Sequence, residues 1–335
     1  LFIVFPRIAP LWAVPMQTGV NSTGVTNEMS PGDISQLARS AALAFRVQFE
    51  DEVELAHEQL YWRGLVLDQF DGVTWRRTRN SSSYSRAASL VNSRISYEDR
   101  IRTLGEPVNY NVILEPTQQP WLFGLHLADD VNDELFSGRN FELFNDGRIT
   151  QRLSYDLRSH LQSQTDVLLL DSSRNRNLEL PDDVNERSLE FARELRASVS
   201  TDREYVNSVL AHFRMNQYFY TLNAPLLGAN RIDEFLFDTM AGFCEHYASS
   251  FTYLMRAAGL PARVVVGYQG AEMNPYENYL MVYQYNAHAW SEVWFEGEGW
   301  VRFDPTGAVS PTRIELGVQE ALRDDPAFME DDLFS

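Results

Sequence analysis

The chain has 335 residues, room for one to three domains of ~100–200 residues, and a hydrophobic fraction of 44 % that is ample for a packed core. A formal charge of −19 argues against nucleic acid, whose phosphates would be repelled. All 28 basic residues are arginine, so the chain carries no side-chain amine of its own.

Taken in order, residues 1–40 read as an apolar arm followed by a loop. "LFIVFPRIAPLWAV" is far short of the ~20 residues of a spanning helix. It reads equally as the lip of a preceding membrane helix or as a buried arm. Residues 41–178 read as a β-rich domain, a sandwich or open barrel. "LYWRGLVLDQF" and "VTWRRT" flank the Asp71-Gly72 turn, and "FELF" and "RITQRLSY" flank Asn145-Asp-Gly147. Asn80–Ser85 reads as a loop. His57, His126 and His160 form no nucleophile–base set, which leaves this half as a scaffold or as one wall of a cleft. "SSRNRN" at 172–177 is the expected linker.

Residues 179–312 read as a second domain. A helix starts near Pro181, Thr201 caps a second, and "YFYTL" is a short strand. From Cys244 to Ala258 the apolar spacing predicts an amphipathic helix, stopped by Gly259 and Pro261. A buried strand over 262–268 and an antiparallel hairpin closed by Glu296-Gly-Glu-Gly299 follow. Residues 313–335 read as an acidic, solvated tail. Helices, a nucleophile helix and then an antiparallel sheet make an α+β layout of the papain-like kind.

Cys244 is the only cysteine, so it has no disulfide partner within the chain. It falls in the first turn of its helix, where unpaired N–H groups favour a thiolate. His246 cannot be its base, because side chains two apart on a helix diverge. The hairpin's midpoint lies near 296, which brings His288 and Asp304 opposite or nearly opposite each other. Asp304 then fixes one imidazole tautomer and turns the other nitrogen toward Cys244. No metal-ligand cluster or phosphate-cradling glycine loop is visible.

The runs "GFCEHYASSFTYLMRAAGLPARVVVGY", "NAHAWSEVWFEGEGW" and "FDPT", with their Cys, His, Asp order, resemble the transglutaminase-like superfamily. The whole chain is similar to the extracytoplasmic domain of TgpA-type bacterial transglutaminases, which sits between membrane-spanning helices. The specific motifs cover Tyr220 to Thr306; "LYWRG" and "FDGVTW" extend the likeness more loosely. The resemblance puts Cys244 on the nucleophile, His288 on the base and Asp304 on the orienting carboxylate. It makes Tyr220 the first candidate for the upstream aromatic that serves the oxyanion. Glu245 stands where many members have Trp. The implied reaction is thioester formation on a glutamine carboxamide of a protein or peptide, then transfer to an amine or to water. The runner-up is a cysteine peptidase or amidase with the same triad. The implied address is the periplasmic face of the inner membrane, with tethering by helices outside this chain. No calcium loop is recognisable, so no metal or cofactor is expected.

Overall fold

The computed structural model describes residues 24–53, 55–78, 100–132 and 134–323. The 1–14 arm, the Asn80–Ser85 loop and the end of the tail lie outside them. The first half contributes α1 (Asp33–Leu37), β1 (Leu43–Phe49), β2 (Tyr61–Leu67), β3 (Val108–Leu114), β4 (Gly124–Leu125), β5 (Leu127–Asp130) and β6 (Leu153–His160). There follow α2 (Asp171–Arg176), α3 (Glu186–Ala197), α4 (Asp202–Met215), β7 (Phe219–Tyr220), β8 (Ala241–Gly242) and α5 (Cys244–Ala257). The chain continues through β9 (Ala262–Gln269), β10 (Glu272–Met273), β11 (Leu280–Tyr283), β12 (Ala287–Phe295) and β13 (Gly299–Phe303). It closes with α6 (Thr306–Val309), α7 (Pro311–Glu315) and α8 (Val318–Ala321).

The architecture is α+β, with a β-rich first half and a helix-and-sheet core. The two halves do not have separate sheets, however. A five-stranded sheet runs β13-β12-β9-β2-β4, and a six-stranded one runs β10-β11-β1-β3-β6-β5. Each takes strands from both sides of the boundary read at 178/179. The physical reason lies in β9 and β12, which are buried at every residue. The hairpin β12–β13 leaves one edge of β9 unpaired, and a buried edge must find hydrogen-bond partners. The buried run of β2 supplies them.

Close approach at that seam requires glycine. A Cβ on Gly267 would stand 2.0 Å from the Trp62 carbonyl, where the β2–β9 register shifts. Gly267 pairs directly with His288 across β9–β12, so the seam also sets the height of that histidine.

Four local expectations need correction. Asp171–Arg176 is a helix rather than a linker, and Asn177 beyond it is buried, its carbonyl accepting from Ala262 N–H. The strands flanking Asn145-Asp-Gly147 do not pair with each other. Leu143–Phe144 joins Phe136–Ser137, while β6 lies between β3 and β5. The helix α5 is central rather than amphipathic: Glu245, His246, Thr252 and Arg256 are buried with its apolar residues. The segment after 312 is packed, with Arg313, Val318 and Leu322 buried.

Those polar groups are compatible with a core because most find partners. Arg256 donates to the carbonyls of Ala262, Glu179 and Asp68 at 2.8–2.9 Å. Thr252 bonds Ser291 of β12 at 2.8 Å, which stitches helix to sheet.

Candidate active site

Phe243 has extended backbone (φ −109°, ψ 178°) and forms the N-cap of α5. Its N–H donates to Nδ1 of His246 at 3.2 Å, and the His246 ring packs on Phe235. His246 is therefore spent on the helix terminus, as its spacing implies. Cys244 is the first helical residue and is fully buried. The expected helix N-terminus is present, but it does not dominate the thiol. Burial pushes the Cys244 thiol well above its ordinary value, and the adjacent Glu245 adds to this. Arg313 and the Ala289 N–H, which donates to the sulfur, oppose the shift without cancelling it.

Glu245 has a structural task. Its carboxylate accepts the N–H groups of Gly32 and Ile34, which pins α1 on the nucleophile helix. Burial raises its pKa to about 8 against the lowering effect of those amides.

The β12–β13 register pairs Ser291 with Phe303 and Glu292 with Arg302. Continued by one residue, it sets Asp304 opposite Trp290, diagonal to His288 on the same face. His288 Nε2 and Asp304 Oδ2 meet at 2.7 Å. Asp304 also accepts Thr306 N–H on Oδ1 at 3.0 Å and the Tyr61 hydroxyl on Oδ2 at 2.7 Å. Burial raises the Asp304 carboxyl, but the His288 charge and these bonds outweigh it and hold the carboxyl below its usual range. Burial lowers the His288 imidazole, with Asp304 pulling the other way.

Sequence reasoning missed Tyr61. It lies in "LYWRG", far from the motifs, and reaches the site only because β2 pairs with β9. An aromatic inside a strand carries no local sign of such a role.

Tyr220 pairs in parallel with Gly242 through β7–β8, two residues before the thiol. Its ring stacks on Phe243 with centroids 4.8 Å apart. Its hydroxyl is buried and makes no hydrogen bond of normal geometry, but it lies within bonding reach of Arg313 and interacts electrostatically with Cys244. The structure thus gathers Cys244, His288, Asp304 and Tyr220, all read from the sequence, and adds Tyr61 and Arg313.

With the thiol raised and the imidazole lowered, the closed site holds a neutral pair. Asp304 occupies Nε2, which leaves the buried Nδ1 of His288 without a partner and able to take a proton. Among the described residues, five of the eleven buried side-chain polar atoms without a hydrogen bond of normal geometry belong to this part of the fold: Tyr220 Oη, His288 Nδ1, Thr306 Oγ1, and Nε and Nη2 of Arg313. Such clustering marks a place where ligand atoms complete the bonding. An open cleft of about 340 Å³ lies alongside, lined by Tyr61, Arg63, His126, Trp290, Trp300 and Arg302 among others. Tyr61 and Trp290 separate it from His288. Among the described residues, no group of three His, Cys, Asp or Glu could hold a metal ion. No described helix is long and apolar enough to cross a membrane.

A cysteine heading a buried helix, with imidazole and carboxylate on the adjoining antiparallel hairpin, is the papain-like thiol acyl-transfer arrangement. Residues 1–166 match the TgpA N-terminal domain and residues 189–305 the transglutaminase-like superfamily. The chain belongs to that superfamily, as a domain of the TgpA type.

It is 42 % identical over 333 residues to a protein-glutamine gamma-glutamyltransferase of Pseudomonas aeruginosa, across 99 % of this chain and 48 % of that protein. The chain therefore spans about half the length of this curated relative. The crystal structure of the periplasmic domain of TgpA from Pseudomonas aeruginosa superposes with a TM-score of 0.81 at 41 % identity. That match covers 88 % of this chain and 98 % of the crystal chain. The same domain bound to ethylmercury gives 0.79 at 41 % identity, over 88 % and 100 %.

Proposed function

We propose that this domain is the acyl-transfer centre of a protein-glutamine gamma-glutamyltransferase, with Cys244 as nucleophile, His288 as proton carrier and Asp304 as orienter. The observation that carries it is the state of His288: one nitrogen is bound to Asp304, the other is buried without a partner, and the N–H of the next residue, Ala289, donates to the Cys244 sulfur. The thiol passes its proton to Nδ1 as the sulfur attacks a glutamine carboxamide. The proton then goes to the leaving nitrogen, ammonia departs and a thioester remains. A primary amine attacks next and gives an isopeptide bond. Tyr220 Oη lies in the wall of the thiol site, where it can donate to the carbonyl oxygen as charge develops.

A primary amine rather than water is the proposed acceptor on the curated relative's activity. The cleft along Tyr61 and Trp290 is the proposed substrate side, with one wall supplied by the first half of the chain. The proposed address, by likeness to the Pseudomonas domain, is the periplasmic face of the inner membrane, with tethering outside this chain.

The test is incorporation of a fluorescent primary amine into a glutamine-rich acceptor protein, with ammonia release followed in parallel. Incorporation that is lost in Cys244→Ala supports the reading. Ammonia without incorporation would make the domain a deamidase, and new protein termini would make it a peptidase.

A further inference from the structure

Arg313 lies beyond the last recognisable motif, in a five-residue helix, yet it is fully buried. Its Nη1 donates to Oε1 of Gln269; Nε and Nη2 make no hydrogen bond of normal geometry, although the guanidinium lies within bonding reach of the Tyr220 hydroxyl. Among the described residues no carboxylate lies within ion-pair distance of it. Gln269 ends β9 in register with Tyr61, and its amide also holds the Ile314 carbonyl at 3.0 Å. His57 Nδ1 grips the same carbonyl, also at 3.0 Å. The guanidinium is thus fixed from two strands' worth of framework. A buried cation without an ion-pair partner is costly, so its retention calls for compensating groups around it.

The groups within its electrostatic reach supply that compensation. Cys244, Tyr220, His288, Asp304 and Tyr61 all interact with Arg313. Burial, Glu245 and Asp304 disfavour the thiolate, and Arg313 is the side chain that favours it. We propose that Arg313 is a positioning residue of the acyl-transfer site, a fixed buried cation that orients the Tyr220 hydroxyl and favours negative charge on the Cys244 sulfur. The inference rests on Cys244 as the nucleophile. It assigns the second short helix after the hairpin to the site rather than to a tail.

The experiment reads the thiol directly and needs no turnover. Because Cys244 is the sole cysteine, the mass of each iodoacetamide adduct reports it alone; access to the buried sulfur scales the whole rate–pH curve, while its midpoint follows the thiolate. Arg313→Gln should alkylate about tenfold more slowly at neutral pH, with the rate–pH curve displaced upward by about one unit. Arg313→Lys, which keeps the charge, should stay within about threefold of the parent. Thermal unfolding of both variants reports the structural share of the side chain.

An unchanged midpoint in folded Arg313→Gln would overturn the proposal, as would Arg313→Lys moving as far as Arg313→Gln. If Arg313→Gln does not fold, Gln269→Glu neutralises the guanidinium in place and decides the matter. A raised midpoint upholds the proposal and an unchanged midpoint refutes it. An Arg313-dependent thiol in a protein without amine incorporation would sink the proposed activity but leave this inference standing.

Discussion

Strand β12 carries two buried polar clusters on one face, four residues apart, and they are built oppositely. At Glu292 both carboxylate oxygens are taken: Arg63 from β2 bonds Oε1 and Oε2, and Arg263 from β9 bonds Oε2 at 2.8 Å. Asn140 receives a further bond from each arginine, and Arg263 lies 3.8 Å over the Trp300 ring. At His288 several atoms lack a hydrogen bond of normal geometry: the imidazole Nδ1, the Tyr220 hydroxyl and two nitrogens of Arg313. One strand face thus serves two ends. The Glu292 network, in which Arg63 Nε alone lacks a partner, borders the open cleft and ties the two halves of the chain together, whereas around His288, itself fully buried, several polar atoms are left unfilled.

Four substitutions test this contrast. Cys244→Ala should remove amine incorporation by about 10⁴-fold or more without unfolding the protein, as followed by steady-state rate and thermal denaturation. Asp304→Ala should lower kcat by about 10²–10⁴-fold, because the imidazole loses its orienter. It also removes a group that raises the His288 pKa, so the acid limb of the rate profile should move to lower pH.

Glu292→Gln belongs to the cluster that ties the two halves together and should act on stability. Burial raises that carboxyl, but Arg63 and Arg263 overcome it and bring the pKa to about 2, from an ordinary 4.5. The folded value is depressed, so the stabilisation is present above about pH 4.5 and lost as pH falls through about 2. The gap corresponds to roughly 3 kcal/mol. Denaturant unfolding of Glu292→Gln at neutral pH should show a loss of that order, with much less sensitivity to acid than the parent in this window. The rate per folded molecule should stay within about twofold of the parent; a larger loss would erase the distinction between the clusters. Tyr61→Phe should be mildest, about tenfold or less in kcat, because Asp304 keeps its Thr306 and His288 bonds.

The catalytic half was legible because its parts are close in sequence and locally determined. A helix start at Cys244 and a hairpin turn at 296–299 suffice to bring thiol, imidazole and carboxylate into one neighbourhood. The Asp304–His288 contact follows even though the true register is shifted from the simplest hairpin midpoint. The interleaved sheets were not legible. Neither "LYWRG" nor "LMVY" carries any sign of which sheet it will join, since strand pairing over such separations is settled by buried edges rather than by local pattern. Tyr61 was missed for that reason. Arg313 was missed for another: an acidic surrounding composition suggested a solvated tail, and one buried arginine leaves no periodic trace.

The proposed chemistry passes through a thioester on Cys244 formed with release of ammonia. Rapid mixing of the enzyme with a small glutamine peptide in the absence of amine, followed by acid quench, detects it. A burst of ammonia close to one equivalent per enzyme is expected, with a matching acyl mass on the peptide containing Cys244. Ammonia release without a burst or adduct, and undiminished in Cys244→Ala, would contradict it.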